Sequence, residues 1–181
     1  MSRSTEKEFW IEMSIREIWT QAHYAETAYG NINLKAINVI DAVFSSIHSF
    51  LSHCAIVSKM LKAKYTDNSS TTIGDVLGIS SLSPIHKRKF RNSLEHYDKE
   101  LKKWIKERGV NSVIGTYNIG PKSAIDIPNM IYVKHYDPTN NTFTFVNEDL
   151  SLGDLFQEVI QIKDKADKWV KQLQAENRAK F

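Results

Sequence analysis

Ile11, Ile15, Ile18, Ala22, Ala25 and Tyr29 follow one another at steps of three and four residues, the period of a single helix face, and Gly30-Asn31 supplies a stop signal. The pattern resumes with Ile37, Ile40, Phe44, Ile47, Leu51, Cys54, Val57 and Leu61, which predicts a second long helix from Leu34 to about Lys64. Together these form a long helical hairpin over residues 8–64. The next stretch, "KYTDNSSTTIGDVLGISSLS", has no helical period and is rich in Ser, Thr, Gly and Asp, so it reads as a connecting loop with one helical turn. Ser83 and Pro84 make an N-cap and first-turn pair, predicting a third helix over 83–108 that Gly109 stops.

Beyond a further loop, "MIYVKHY" and "TFTFV" are β-like runs flanking "DPTNN", which predicts a β-hairpin over 129–147. Ser151 then caps a last helix over 151–178, with Leu155, Val159, Ile162, Ala166, Trp169 and Leu173 on one face and Asp154 in its first turn. The expected architecture is all-α: one domain spanning residues 1–181, a bundle of about four long helices with a small β-hairpin before the last.

Composition narrows the class. A charged fraction of 25% beside a hydrophobic fraction of 41% is that of a globular chain rather than a disordered one. A net charge of +3 neither demands nor forbids a nucleic-acid partner. With Cys54 as the single cysteine there is no internal disulfide, and the N-terminal "MSRSTEKEFW" lacks an apolar leader core. No stretch of about 18 consecutive apolar residues is present. The expectation is a cytoplasmic protein with no membrane association.

The third helix carries the unusual chemistry. On a wheel of ~100° per residue, Leu94, Tyr97, Leu101 and Trp104 all fall within about 40° of Phe90 and form with it the core stripe. Asn92 and His96 lie one turn apart and nearly opposite, with Arg88, Glu95 and Lys99 on the same outer face and Arg91 on its shoulder. Two readings of that face stand on the wheel alone. It is a solvated surface in which Arg91 and Glu95 form a weak i,i+4 pair, or it is a polar site open to a ligand or partner.

The order Arg91-Asn92-Ser93-Leu94-Glu95-His96 resembles the Arg–polar–x3–His signature of the HEPN superfamily, and the longer run "RNSLEHYDKELKKW" is similar to a prokaryotic branch of HEPN-like proteins. The resemblance covers most of residues 8–108 and, less closely, the last helix. It implies a helical fold, a homodimer and metal-independent cleavage of RNA where two copies of the motif meet. Arg91, Asn92 and His96 are then the catalytic set. His96 would move the proton when a ribose 2′-OH attacks its phosphate, and Arg91 would offer a permanently charged fork to the phosphoryl oxygens. Asn92 would orient the imidazole or bond a phosphate oxygen, while Arg88 and Lys99 would hold backbone phosphates. Attack by the 2′-OH makes RNA the substrate.

The same resemblance points to toxin–antitoxin or phage-defence settings, with an antitoxin or operon partner. Related toxins carry a modifiable Tyr two residues after the His; Asp98 stands there in this chain. Asp98 and Glu95 also bring negative charge to an expected RNA cleft, so a binding module that holds RNA, nucleotide or a protein without cutting is the alternative. His23, His48, His53-Cys54, His86 and His135 show no metal-ligand spacing, and the expectation is no metal and no cofactor. Trp10, Trp19, Trp104 and Trp169 fall at helical intervals and read as packing residues.

Overall fold

The computed structural model describes residues 6–86, 97–108, 114–124, 130–146 and 148–178. Helix α1 spans Glu6–Gly30 and α2 spans Val39–Leu61. The short α3 (Ile73–Val76) and a 3-10 turn (Pro84–His86) follow, then α4 (Tyr97–Arg108). Strands β1 (Ile114–Gly115) and β2 (Asn118–Ile119) precede a second 3-10 turn, Lys122–Ala124. Strands β3 (Ile131–Tyr132), β4 (Lys134–Asp137), β5 (Thr142–Phe145) and β6 (Glu148–Ser151) then lead into α5, Leu152–Arg178.

The expectation of an all-α bundle is overturned: the chain is a helix-rich α/β protein with a four-stranded mixed sheet in the order β2-β4-β5-β6. The predicted hairpin is its centre, β4 pairing antiparallel with β5 from Lys134↔Phe145 to Asp137↔Thr142. It recruits β6 antiparallel on one side and β2 parallel on the other. Bare hairpins bury too little to persist, and two more strands plus a helical layer supply what this one lacks. A separate parallel pair joins β1 to β3.

One face of the sheet belongs to the helical core. Tyr136, Phe143 and Phe145 are buried in the same cluster as Ile15, Ile18, Ala22 and Ala25 of α1, Phe44, Ile47 and Phe50 of α2, and Leu152, Val159 and Ile162 of α5. Phe44 packs its ring against Phe143 with centroids 6.1 Å apart. The alanines at 22 and 25 are fully buried and, lacking bulk, let the helices approach closely. Cys54 lies within this core, and burial pushes its thiol up, out of reach of ionisation. Helix α2 is long and apolar enough to cross a membrane by length and composition, yet its buried stripe faces α1 and the sheet. Lys163 on α5 reaches back to Glu26 on α1 at 2.5 Å, and that hydrogen bond draws the Glu26 carboxyl below its ordinary value.

Two helix starts differ from the sequence pattern. Helix α2 begins at Val39, so Ile37 is fully exposed and Ile40 is exposed as well. Asn33 accepts a hydrogen bond from the Lys35 backbone at 2.8 Å, a side-chain turn that ends the connection before the helix begins. At Ser83-Pro84 the chain makes a 3-10 turn, and the Ser83 hydroxyl donates to Glu158 on α5 instead of capping.

Asn141 ties the hairpin to the helices. It holds a left-handed φ of 54°, which asparagine tolerates better than most residues. Its Oδ1 accepts from Tyr136 at 3.1 Å, its Nδ2 donates to the Tyr29 hydroxyl, and its carbonyl accepts from Leu152 N at 3.0 Å. Tyr29 in turn stacks on Phe156 of α5 at 4.0 Å. Asn141→Ala loses both side-chain bonds and keeps the unfavourable φ, so it should destabilise the protein by about 1–3 kcal/mol. Asn141→Gly, free at φ but equally unbonded, should recover part of that in chemical denaturation. Equal midpoints for wild type and Asn141→Ala would show that these contacts carry no stability.

Candidate functional site

Of the residues singled out in the sequence, Arg88, Arg91, Asn92 and His96 lie outside the described residues. Lys99 is described: it is exposed on the first turns of α4, beside exposed Asp98. Exposed Lys102, Lys103 and Lys106 follow on the same helix, Lys103 being 4.0 Å from Glu107 at i,i+4. Such a pair, largely in water, contributes little.

The described residues on either side anchor the motif segment. Ahead of it, Ile73, Ile79 and Ile85 are buried and pin the 73–86 stretch to the helices. Ser83 donates to Glu158, His86 Nδ1 lies 3.1 Å from Ser58 Oγ on α2, and Lys165 of α5 donates to the Gly78 carbonyl at 2.7 Å. Gly78 has a φ of +61°, where glycine is at no disadvantage. Gly78, Ser83, Glu158 and Lys165 line a shallow cleft of about 340 Å³ between the loop and α5, with Ser80, Leu82 and Gln161. Behind the motif, Leu101 of α4 packs on Val133, the residue between β3 and β4. The chain is thus held against α2 and α5 up to His86, and from Tyr97 it is a helix whose Leu101 packs on Val133.

The structure also assembles polar residues that the sequence reading passed over. Asn118, His135, Thr144 and Asp149 stand in register across β2, β4, β5 and β6, forming one row on the sheet face turned away from the helical core. His135 and Thr144 are wholly buried. Thr144 donates to Asp149 at 2.6 Å, and Lys122 reaches the same carboxylate oxygen at 2.7 Å. Burial works to raise the Asp149 carboxyl, but the Lys122 and Thr144 hydrogen bonds bring it below its ordinary value. The Tyr132 ring lies 4.4 Å from that of His135, and the Lys122 ammonium sits over the Tyr132 ring at 5.8 Å.

Both ring nitrogens of His135, and Nδ2 of Asn118 beside it, lack a hydrogen-bond partner among the described residues. Burial, reinforced by the Lys122 charge, holds the imidazole below its ordinary value, against the opposing pull of Asp137, the Gly120 backbone and Asp149. The Gly120 backbone favours the charged ring, yet neither ring nitrogen counts a hydrogen-bond partner among the described residues. The surroundings of His135 thus favour its neutral form. His48 on α2 is lowered in the same way, by burial and then by Lys134. No sequence signal could have found the row, since it exists only through the pairing of four strands separated by turns of different lengths.

Comparison with family models, with curated proteins and with solved structures returned no match.

Proposed function

We propose that the protein is a metal-independent endoribonuclease of the HEPN type, working as a homodimer in the cytoplasm with Arg91, Asn92 and His96 as its catalytic set. The observation that carries this reading is the run Arg91-Asn92-x3-His96, which ends one residue before α4, a helix exposing Lys99, Lys102, Lys103 and Lys106. A histidine near neutral pKa, a guanidinium fork and adjacent lysines are what 2′-OH attack on a phosphodiester requires. The anchored flanks also support it, because a catalytic segment needs fixed entry and exit points to hold its geometry.

Cleavage of a single-stranded RNA should persist in excess EDTA and leave 2′,3′-cyclic phosphate ends. Products with 5′-phosphate ends, or an absolute need for Mg²⁺, would rule the mechanism out. The presence of exposed Asp98 and half-buried Glu100 in the first turn of α4 favours a second reading, in which the same surface holds RNA, nucleotide or a protein without cutting. Tight RNA binding with no cleavage by the dimer would select it.

A further inference from the structure

We propose that His135 is an acid-sensitive latch on the sheet edge, and that its protonation releases β2 and the Lys122–Ala124 turn from β4. As a neutral ring, His135 fits between Tyr132 and its strand neighbours with no exposure and no hydrogen-bond partner among the described residues. An imidazolium in the same place would carry two N–H donors and a charge, and buried donors of that kind need acceptors or water. The charged groups facing it are Lys122, Asp137 and Asp149. Asp149 is already engaged by Thr144 and Lys122, Asp137 accepts from Thr139 N at 2.9 Å, and the Lys122 ammonium repels. Apart from the Gly120 backbone, which can serve one N–H at most, water is the remaining source of acceptors.

The least costly way to admit water is at β2. That strand is two residues long and meets β4 only through Asn118↔His135 and Ile119↔Tyr136, with Gly120 N donating to Tyr136 O at 3.0 Å beyond. On its other side β4 holds β5 through four paired residues and a buried aromatic face. Lifting β2 leaves Asn118 Nδ2 no worse off, since it has no partner among the described residues to lose. It also draws Lys122 from Asp149, and that carboxylate is then free to face the new cation two strands away.

The sign follows from the two states. The closed state holds the ring below its ordinary value, and the open state returns it to about 6.5. Closure is therefore at full strength above pH ~6.5 and is lost as pH falls through the depressed closed value, by up to about tenfold per pH unit between the two.

Hydrogen exchange read by mass spectrometry between pH 8 and pH 5, divided by the intrinsic exchange rate, tests this. In the wild type, peptides covering Asn118–Gly120 and Lys134–Asp137 should open more at pH 5 than at pH 7, by up to about tenfold per pH unit below pH ~6.5. His135→Phe keeps a buried ring that cannot titrate and should be flat across the range. Lys122→Gln loses the Asp149 contact and part of the charge that depresses the ring, so it should open more than wild type at pH 8 and show a weaker acid dependence. A wild type without acid dependence, or a His135→Phe protein with the same slope, overturns the proposal. Should His135→Phe not fold, an NMR titration of the wild-type ring decides: a pKa clearly below 6.5 supports the latch, and one at or above it overturns it.

Discussion

His96→Ala should lower RNA cleavage by about 10²–10⁴-fold while leaving the melting temperature close to wild type. The rate loss is what removal of a positioned acid or base costs. The unchanged stability follows from the sequence wheel, which sets His96 opposite the stripe of Phe90, Leu94 and Leu101, so truncation leaves no core cavity; the change should stay within about 0.5 kcal/mol. Arg91→Lys separates the two readings of its face. A phosphate clamp loses its planar fork and slows, whereas a surface partner of Glu95 is indifferent to the exchange. Steady-state cleavage and differential scanning fluorimetry on the same preparations give both numbers. A His96→Ala protein that melts normally and cuts at the wild-type rate ends the catalytic assignment.

Periodicity was readable wherever a single stripe of one helix meets the core. Ile15, Ile18, Ala22 and Ala25 of α1 and Phe44, Ile47 and Leu51 of α2 are buried because the helices present one face and the spacing records it. The pattern misleads where apolar residues precede the helix: Ile37 keeps the period but falls before Val39, in a connection where the Asn33 side chain holds a turn. At Ser83-Pro84 the sequence carries a sound capping pair, but Glu158, distant in sequence, claims the hydroxyl. Tertiary partners override local signals of that kind.

The sheet was half readable for a physical reason. Alternation marks a strand with one wet face, and β4 and β5 are buried on both: His135, Tyr136 and Asp137 are consecutive buried residues, as are Phe143, Thr144 and Phe145. Strand β2 has two residues, too few for any period, and β6 reads "EDLS", with acidic and polar side chains that carry no strand preference. The polar row from Asn118 to Asp149 stayed hidden with them. The motif at Arg91–His96 is the opposite case, a short-range pattern fully visible in the chain whose residues lie outside the described structure.

Phe143→Ala tests whether the sheet is an appendage or part of the core. An isolated hairpin resting on a self-sufficient bundle could lose a side chain with little effect on the helices. Phe143 instead is fully buried, between Phe44 of α2 at 6.1 Å and His48 at 6.4 Å, with Phe145 beside it at 6.5 Å. Removing a buried phenyl ring loses its transfer energy and leaves a cavity, which together cost about 3–5 kcal/mol. For a chain of this size each kcal/mol moves the midpoint by roughly 2–4 °C, so the melting temperature should fall by about 6–20 °C. The decisive readout is helical circular dichroism at 222 nm, because the α1, α2 and α5 signal should melt early, in one step with the sheet. Helices that still melt at the wild-type temperature would mean that the aromatic face contributes nothing to the bundle it covers.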